Sequence, residues 1–110
     1  MRSSAEDATR LLNKWKSELA SLRVLFTMEG CELKFDGRII AVQDNILLIE
    51  GPRPCQLWLS ISSANFEYTD PRETRSARAR ITAEITYICT LSIRQANGYL
   101  CLLNELRRSA

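Results

Sequence analysis

The stretch GCELKFDGRIIAVQDNILLIEG, residues 30–51, decides how this chain folds. Glycines at 30, 37 and 51 punctuate it, and Asp44-Asn45 interrupts it once more. The runs between them are short, apolar and rich in β-branched residues, which marks strands. Cys31, Leu33 and Phe35 fall on one side of the first run, and Glu32, Lys34 and Asp36 on the other. Gly37 suits a bulge or a sharp bend. With Asp44 and Asn45 at the turn centre, Val42 faces Leu47 and Ile40 faces Ile49. The opposite face pairs Ala41 with Leu48, Gln43 with Ile46 and Ile39 with Glu50. Both faces are largely apolar, so the core covers one, and the helix or another subunit must cover the other.

Upstream, Ser4 and Asp7 have the spacing of a capping box. Ala8, Leu11, Leu12, Trp15, Leu19 and Leu22 follow at helical intervals and predict a helix over residues 4–22. Trp15, within that stripe, reads as a core residue packed on the sheet. Residues 23–29 alternate loosely, with Val24, Phe26 and Met28 on one side.

Downstream, Gly51-Pro52-Arg53-Pro54 is a turn, because its prolines cannot donate to a ladder. Cys55–Ile61 is a strand with Leu57, Leu59 and Ile61 facing one way, and residues 65–69 form another. Residues 81–95 read as a long strand turning at Asn97-Gly98 through a two-residue type I′ loop. That register sets Ile93 against Leu102, Leu91 against Asn104 and Cys89 against Leu106. On the other, mixed face it sets Arg94 against Cys101, Ser92 against Leu103 and Thr90 against Glu105. Cys89 and Cys101 then lie on opposite faces and do not form a disulfide.

The expected organisation is one domain over residues 1–110, mostly β with one N-terminal helix. It comprises barrel strands over 23–69, a basic connector over 70–80 and a C-terminal hairpin over 81–106. A chain of this length can bury roughly two-thirds of its unfolded surface, enough for one core without staples.

Net charge is +2, too small to argue for an anionic partner from the total. No apolar run reaches the ~18 residues of a membrane span. The opening MRSSAEDATR lacks the apolar segment of a secretory signal. The four cysteines, at 31, 55, 89 and 101, form no C-x-x-C pair and read as reduced, buried hydrophobes in a cytoplasmic protein rather than as zinc ligands.

Histidine is absent, which removes the commonest general base and every histidine-activated Ser or Cys nucleophile. No phosphate-cradling glycine motif or nucleophile elbow occurs, and the carboxylates are dispersed. The expectation is no enzyme, no cofactor and no metal.

A helix followed by a bent five-strand sheet resembles the Sm-like domains, which belong to the small SH3-type barrels. The likeness covers about residues 5–69, and Val24–Glu50 is similar to the first Sm signature. Gly30, Gly37, the strand Ile39-Ile40-Ala41-Val42, the turn Asp44 and the strand Ile46-Leu47-Leu48 take the signature's successive roles. Asn45 directly follows Asp44, whereas the family's turn asparagine lies a few residues later. The second signature's Arg-Gly pair has no counterpart in CQLWLSISSA, residues 55–64. The resemblance implies a bent barrel, and an RNA contact that only Asp44 and Asn45 could carry. PilZ-type cyclic-dinucleotide domains are a poorer comparison, because their Arg-x-x-x-Arg and Asp-x-Ser-x-x-Gly motifs are missing.

Three functional expectations follow. The first is a non-catalytic barrel that forms a homo-oligomer through Ile39, Ala41, Ile46, Leu48, Ile88, Cys101 and Leu103, the apolar residues of the outer hairpin faces. The second is an RNA-binding module using Asp44 and Asn45 with Arg72, Arg75, Arg78 and Arg80, the arginines of the connector. The bland reading of that connector is a solvated loop whose charge Asp70 and Glu73 partly offset. The third is a small-ligand pocket inside the barrel, lined by Trp58, Tyr68 and Tyr87.

Overall fold

The computed structural model describes residues 2–52, 54–70 and 87–106. After a two-residue strand β1 (Arg2–Ser3) comes helix α1 (Ala5–Glu18). Strands β2 (Leu22–Met28), β3 (Cys31–Gln43), β4 (Ile46–Glu50), β5 (Gln56–Ser60) and β6 (Asn65–Thr69) follow. Strands β7 (Tyr87–Arg94) and β8 (Leu100–Leu106) complete the described fold. All pairings are antiparallel, in the order β1-β6-β7-β8-β2-β3-β4-β5. Among the described residues the sheet does not close into a barrel. A five-strand barrel would need β6 beside β2, and the β7–β8 hairpin lies between them. The mostly β chain with one helix, a bent sheet and a C-terminal hairpin agrees with the sequence.

Ser4 caps the helix as its spacing indicates, accepting from the Asp7 N–H at 3.1 Å. The helix stops at Glu18, four residues short of the predicted end. Leu19 turns left-handed at φ 53°, and the Ala20 N–H reaches back to the Trp15 carbonyl at 3.0 Å. Leu22 fits the helical period, yet it opens β2 and is fully buried there. An apolar residue at a junction satisfies both periods, so periodicity overran the boundary.

Gly37 is where β3 changes partners. Residues up to Gly37 pair with β2, and those from Arg38 onward pair with β4. A Cβ at Gly37 would collide with the Glu50 carbonyl oxygen, and one at Gly51 would stand 2.6 Å from the Phe35 ring. The two glycines thus let the sheet corner close over Phe35. Asp44 (φ 51°) and Asn45 (φ 62°) form the turn, and the expected pairs Gln43–Ile46, Val42–Leu47 and Ala41–Leu48 form. A bulge between Ile39 and Ala41 then resets the register. Ile39 pairs with Ile49 and is buried, while Ile40 is pushed outward to 37% exposure.

The C-terminal hairpin is one residue out of the expected register. Gln95 and Tyr99 close a three-residue loop, with the Gln95 N–H on the Tyr99 carbonyl and the Gly98 N–H on the Gln95 carbonyl. Gly98, at φ 93°, takes the left-handed position, and Asn97 does not have the positive φ that a type I′ turn demands. Ile93 therefore faces Cys101 and Leu91 faces Leu103, and a one-residue slip turns every side chain over. Cys89 and Cys101 share the inner face, contrary to expectation, and both are free thiols. Residues 81–86 of the expected long strand lie outside the described residues.

The buried face of α1, formed by Ala8, Leu12 and Trp15, joins one hydrophobic cluster with the inner faces of the strands. Leu22, Val24, Leu91, Ile93, Cys101 and Leu103 are all fully buried within it. Cys31 and Leu33, expected to face inward, lie where the inner face runs out and are exposed. Among the described residues no helix is long and apolar enough to cross a membrane.

Candidate assembly surface

The outer face of the three strands at the β5 end carries three of the six exposed large apolar side chains among the described residues, Ile40, Ile46 and Trp58. Directly paired residues point to the same face. Ala41 pairs with Leu48, and Leu48 with Trp58, forming one apolar row across β3, β4 and β5. Ile46 stands in the next row toward the Asp44-Asn45 turn, and the bulged Ile40 adjoins Ala41 on the other side of the row. Trp58 is 65% exposed and Ile46 36% exposed. The inward partners Leu47, Ile49 and Leu59 are buried, so the strand alternation itself places Trp58 outside.

Among the described residues, strand β5 is also one end of the sheet. The Gly51 N–H bonds to the Cys55 carbonyl at 3.0 Å, and the Ile61 N–H to the Asn45 carbonyl at 2.8 Å. Hydrogen-bonded pairs alternate along an antiparallel ladder, so Leu57 and Leu59 direct their backbone groups to β4. Gln56, Trp58 and Ser60 direct theirs outward. The Ser60 carbonyl accepts from Gln95 Nε2 at 2.9 Å, which covers one corner of that edge. The first half of β3, also without a ladder partner on one side among the described residues, carries Glu32, Lys34 and Asp36, charges that discourage edge pairing. The β6 edge is covered at Phe66 and Glu67 by β1. Gln56-Leu57-Trp58-Leu59-Ser60 has no charge, no proline and no bulge within it.

The residues expected at an oligomer interface divide cleanly. Ala41, Ile46 and Leu48 lie on the outer face just described. Ile39 is only 2% exposed, because the bulge turns it inward, and Cys101 and Leu103 are fully buried, because of the hairpin slip. These three belong to the core. Ile88 is 42% exposed but sits on β7, away from the β5 end. The missed members of the surface are Ile40, hidden by an unforeseen bulge, and Trp58. The Leu57/Leu59 alternation already put Trp58 outside.

Of the expected nucleic-acid contacts, Asp44 and Asn45 occupy an exposed turn. Arg72, Arg75, Arg78 and Arg80 lie outside the described residues. The three aromatics expected to line a ligand pocket do not converge. Trp58 is on the outer surface, Tyr68 faces the inner side next to Cys89, and Tyr87 lies beside Arg23.

Two polar clusters remain. Arg23 grips Asp36 at 2.9 and 3.3 Å, which holds the Asp36 carboxyl below its ordinary range and raises Arg23 further. An open groove of about 450 Å3 runs past this pair between Leu19, Arg38, Glu50 and Pro52. On the inner side, Glu105 Oε1 accepts from the Trp15 indole at 2.9 Å and from the Cys89 thiol at 3.6 Å. Burial pushes Cys89 up to about 12, so its thiol is protonated at neutral pH and a poor nucleophile. No group of three or more metal-ligating side chains occurs among the described residues. Comparison with protein-family models, curated proteins and solved structures finds no match for this chain.

Proposed function

We propose that this chain is a non-catalytic β module that works by associating with copies of itself through the edge and outer face of β5. The observation that carries the reading is Trp58, 65% exposed on an uncharged strand at the end of the sheet. A large aromatic on a strand whose outward backbone groups have no ladder partner among the described residues supplies both the apolar area and the ladder that strand addition uses. The helix, the meander β2–β5 and the bent β3 support an Sm-like reading at the level of fold, with the β7–β8 hairpin standing between β6 and β2, where such a sheet would otherwise close. Light scattering behind a sizing column tests the proposal. The wild type is expected at a multiple of the 12.6 kDa chain mass. Trp58→Lys, with unchanged circular dichroism, is expected at the single-chain mass, because a lysine on a strand edge opposes pairing. A wild type that stays at the single-chain mass at high concentration would overturn it.

A further inference from the structure

We infer that the partner on β5 is a second copy held antiparallel, strand to strand, with a twofold axis passing through Trp58. This rests on the reading of β5 as the assembly edge and adds its geometry. An antiparallel partner must place its outward-directed residues opposite those of β5, which are Gln56, Trp58 and Ser60. A twofold at Trp58 meets that condition over the whole strand. Trp58 then pairs with its own copy, and Gln56 pairs with Ser60 in both directions.

The side chains match as well as the backbone. Leu57 meets Leu59 on the inner side, Trp58 meets Trp58 on the outer side, and an amide meets a hydroxyl at each end. Such self-complementarity is what an isologous contact requires. The strand carries no charge, so the twofold sets no like charges face to face. The row Ala41–Leu48–Trp58 would continue without a break into its copy, giving one apolar row across six strands. The Ser60 carbonyl, already bound by Gln95, keeps a second lone pair for the Gln56 N–H across the axis.

The test uses disulfide trapping in a Cys31→Ser/Cys55→Ser background, which leaves only the buried thiols Cys89 and Cys101. Hydrogen-bonded antiparallel partners stand about 5.5 Å apart at Cα, within disulfide reach. The double variant Gln56→Cys/Ser60→Cys is expected to shift under mild oxidation to twice the 12.6 kDa chain mass on a non-reducing gel. Each single variant is expected to stay at the chain mass, because its cysteine would face a Ser or Gln. If the double variant does not bridge while the unmodified protein is oligomeric, the twofold geometry falls and self-association stands. Bridging by the single variants would overturn the register. A monomeric unmodified protein would overturn both.

Discussion

The Trp15 indole N–H donates to Glu105 Oε1 at 2.9 Å, tying the first helix to the last strand. Trp15 is 1% exposed and Glu105 half-buried, so the bond is partly shielded from bulk water. Trp15→Phe keeps an aromatic ring but leaves the glutamate without its shortest donor. Loss of such a bond costs about 1–3 kcal/mol, and urea denaturation should show a destabilisation of that size. Glu105→Gln, which retains an acceptor oxygen, should cost less. Equal stability of Trp15→Phe and wild type would remove this contact from the account.

The cysteines should separate by reactivity. Burial pushes both Cys89 and Cys101 up to about 12, while Cys31 is exposed. A thiol reagent at pH 8 should modify Cys31 in the native protein and reach Cys89 and Cys101 only on unfolding. The same groups set the alkaline limit. Their ordinary value is 9.0, so between pH 9 and 12 the native state holds protons that the unfolded chain releases. Stability from this source is complete below pH 9 and falls as pH rises toward 12. Cys101→Ala should have a shallower alkaline decline, measured by denaturation at pH 8, 9.5 and 11.

The hairpin register can be read from two neighbouring leucines. Leu103 is fully buried and Leu102 partly so. Leu103→Ala should cost about 2–5 kcal/mol, the range for emptying a core leucine site, and Leu102→Ala distinctly less. The opposite ranking would restore the register in which Leu103 faces outward.

Gly37→Ala should be more damaging than its size suggests. The added methyl would meet the Glu50 backbone carbonyl, which cannot swing away as a side-chain tip can. A loss of about 2 kcal/mol is expected, within the usual range for a single substitution. Gly30→Ala has open space around the new methyl and should suffer only from its positive φ of 71°.

Much of this was legible from periodicity and turn chemistry. The Ser4 cap, the buried face of α1, the strands through Thr69 and the Asp44-Asn45 turn each follow from local residues. What failed were registers inside unbroken apolar runs. Ile39-Ile40-Ala41-Val42 and Leu100-Cys101-Leu102-Leu103 offer an apolar side chain to either face, so no polar residue reports a slip. The Asn97-Gly98 dipeptide suits both a two-residue and a three-residue loop, and the choice between them reversed the faces of Cys101 and Leu103. At the proposed assembly surface Ala41, Ile46 and Leu48 were legible for the same reason in reverse: three pairs next to a correctly placed turn lie too close to it for the bulge to matter.

Amide hydrogen exchange on β5, followed by NMR at low and high protein concentration, tests the assembly edge most directly. Leu57 and Leu59, bonded to β4, should exchange slowly at both concentrations and serve as internal controls. Gln56, Trp58 and Ser60, whose N–H groups point away from β4, should exchange quickly at low concentration and become protected at high concentration as their edge is paired. Fast exchange at those three residues at every concentration would contradict the account, because the free edge would then have no partner in solution.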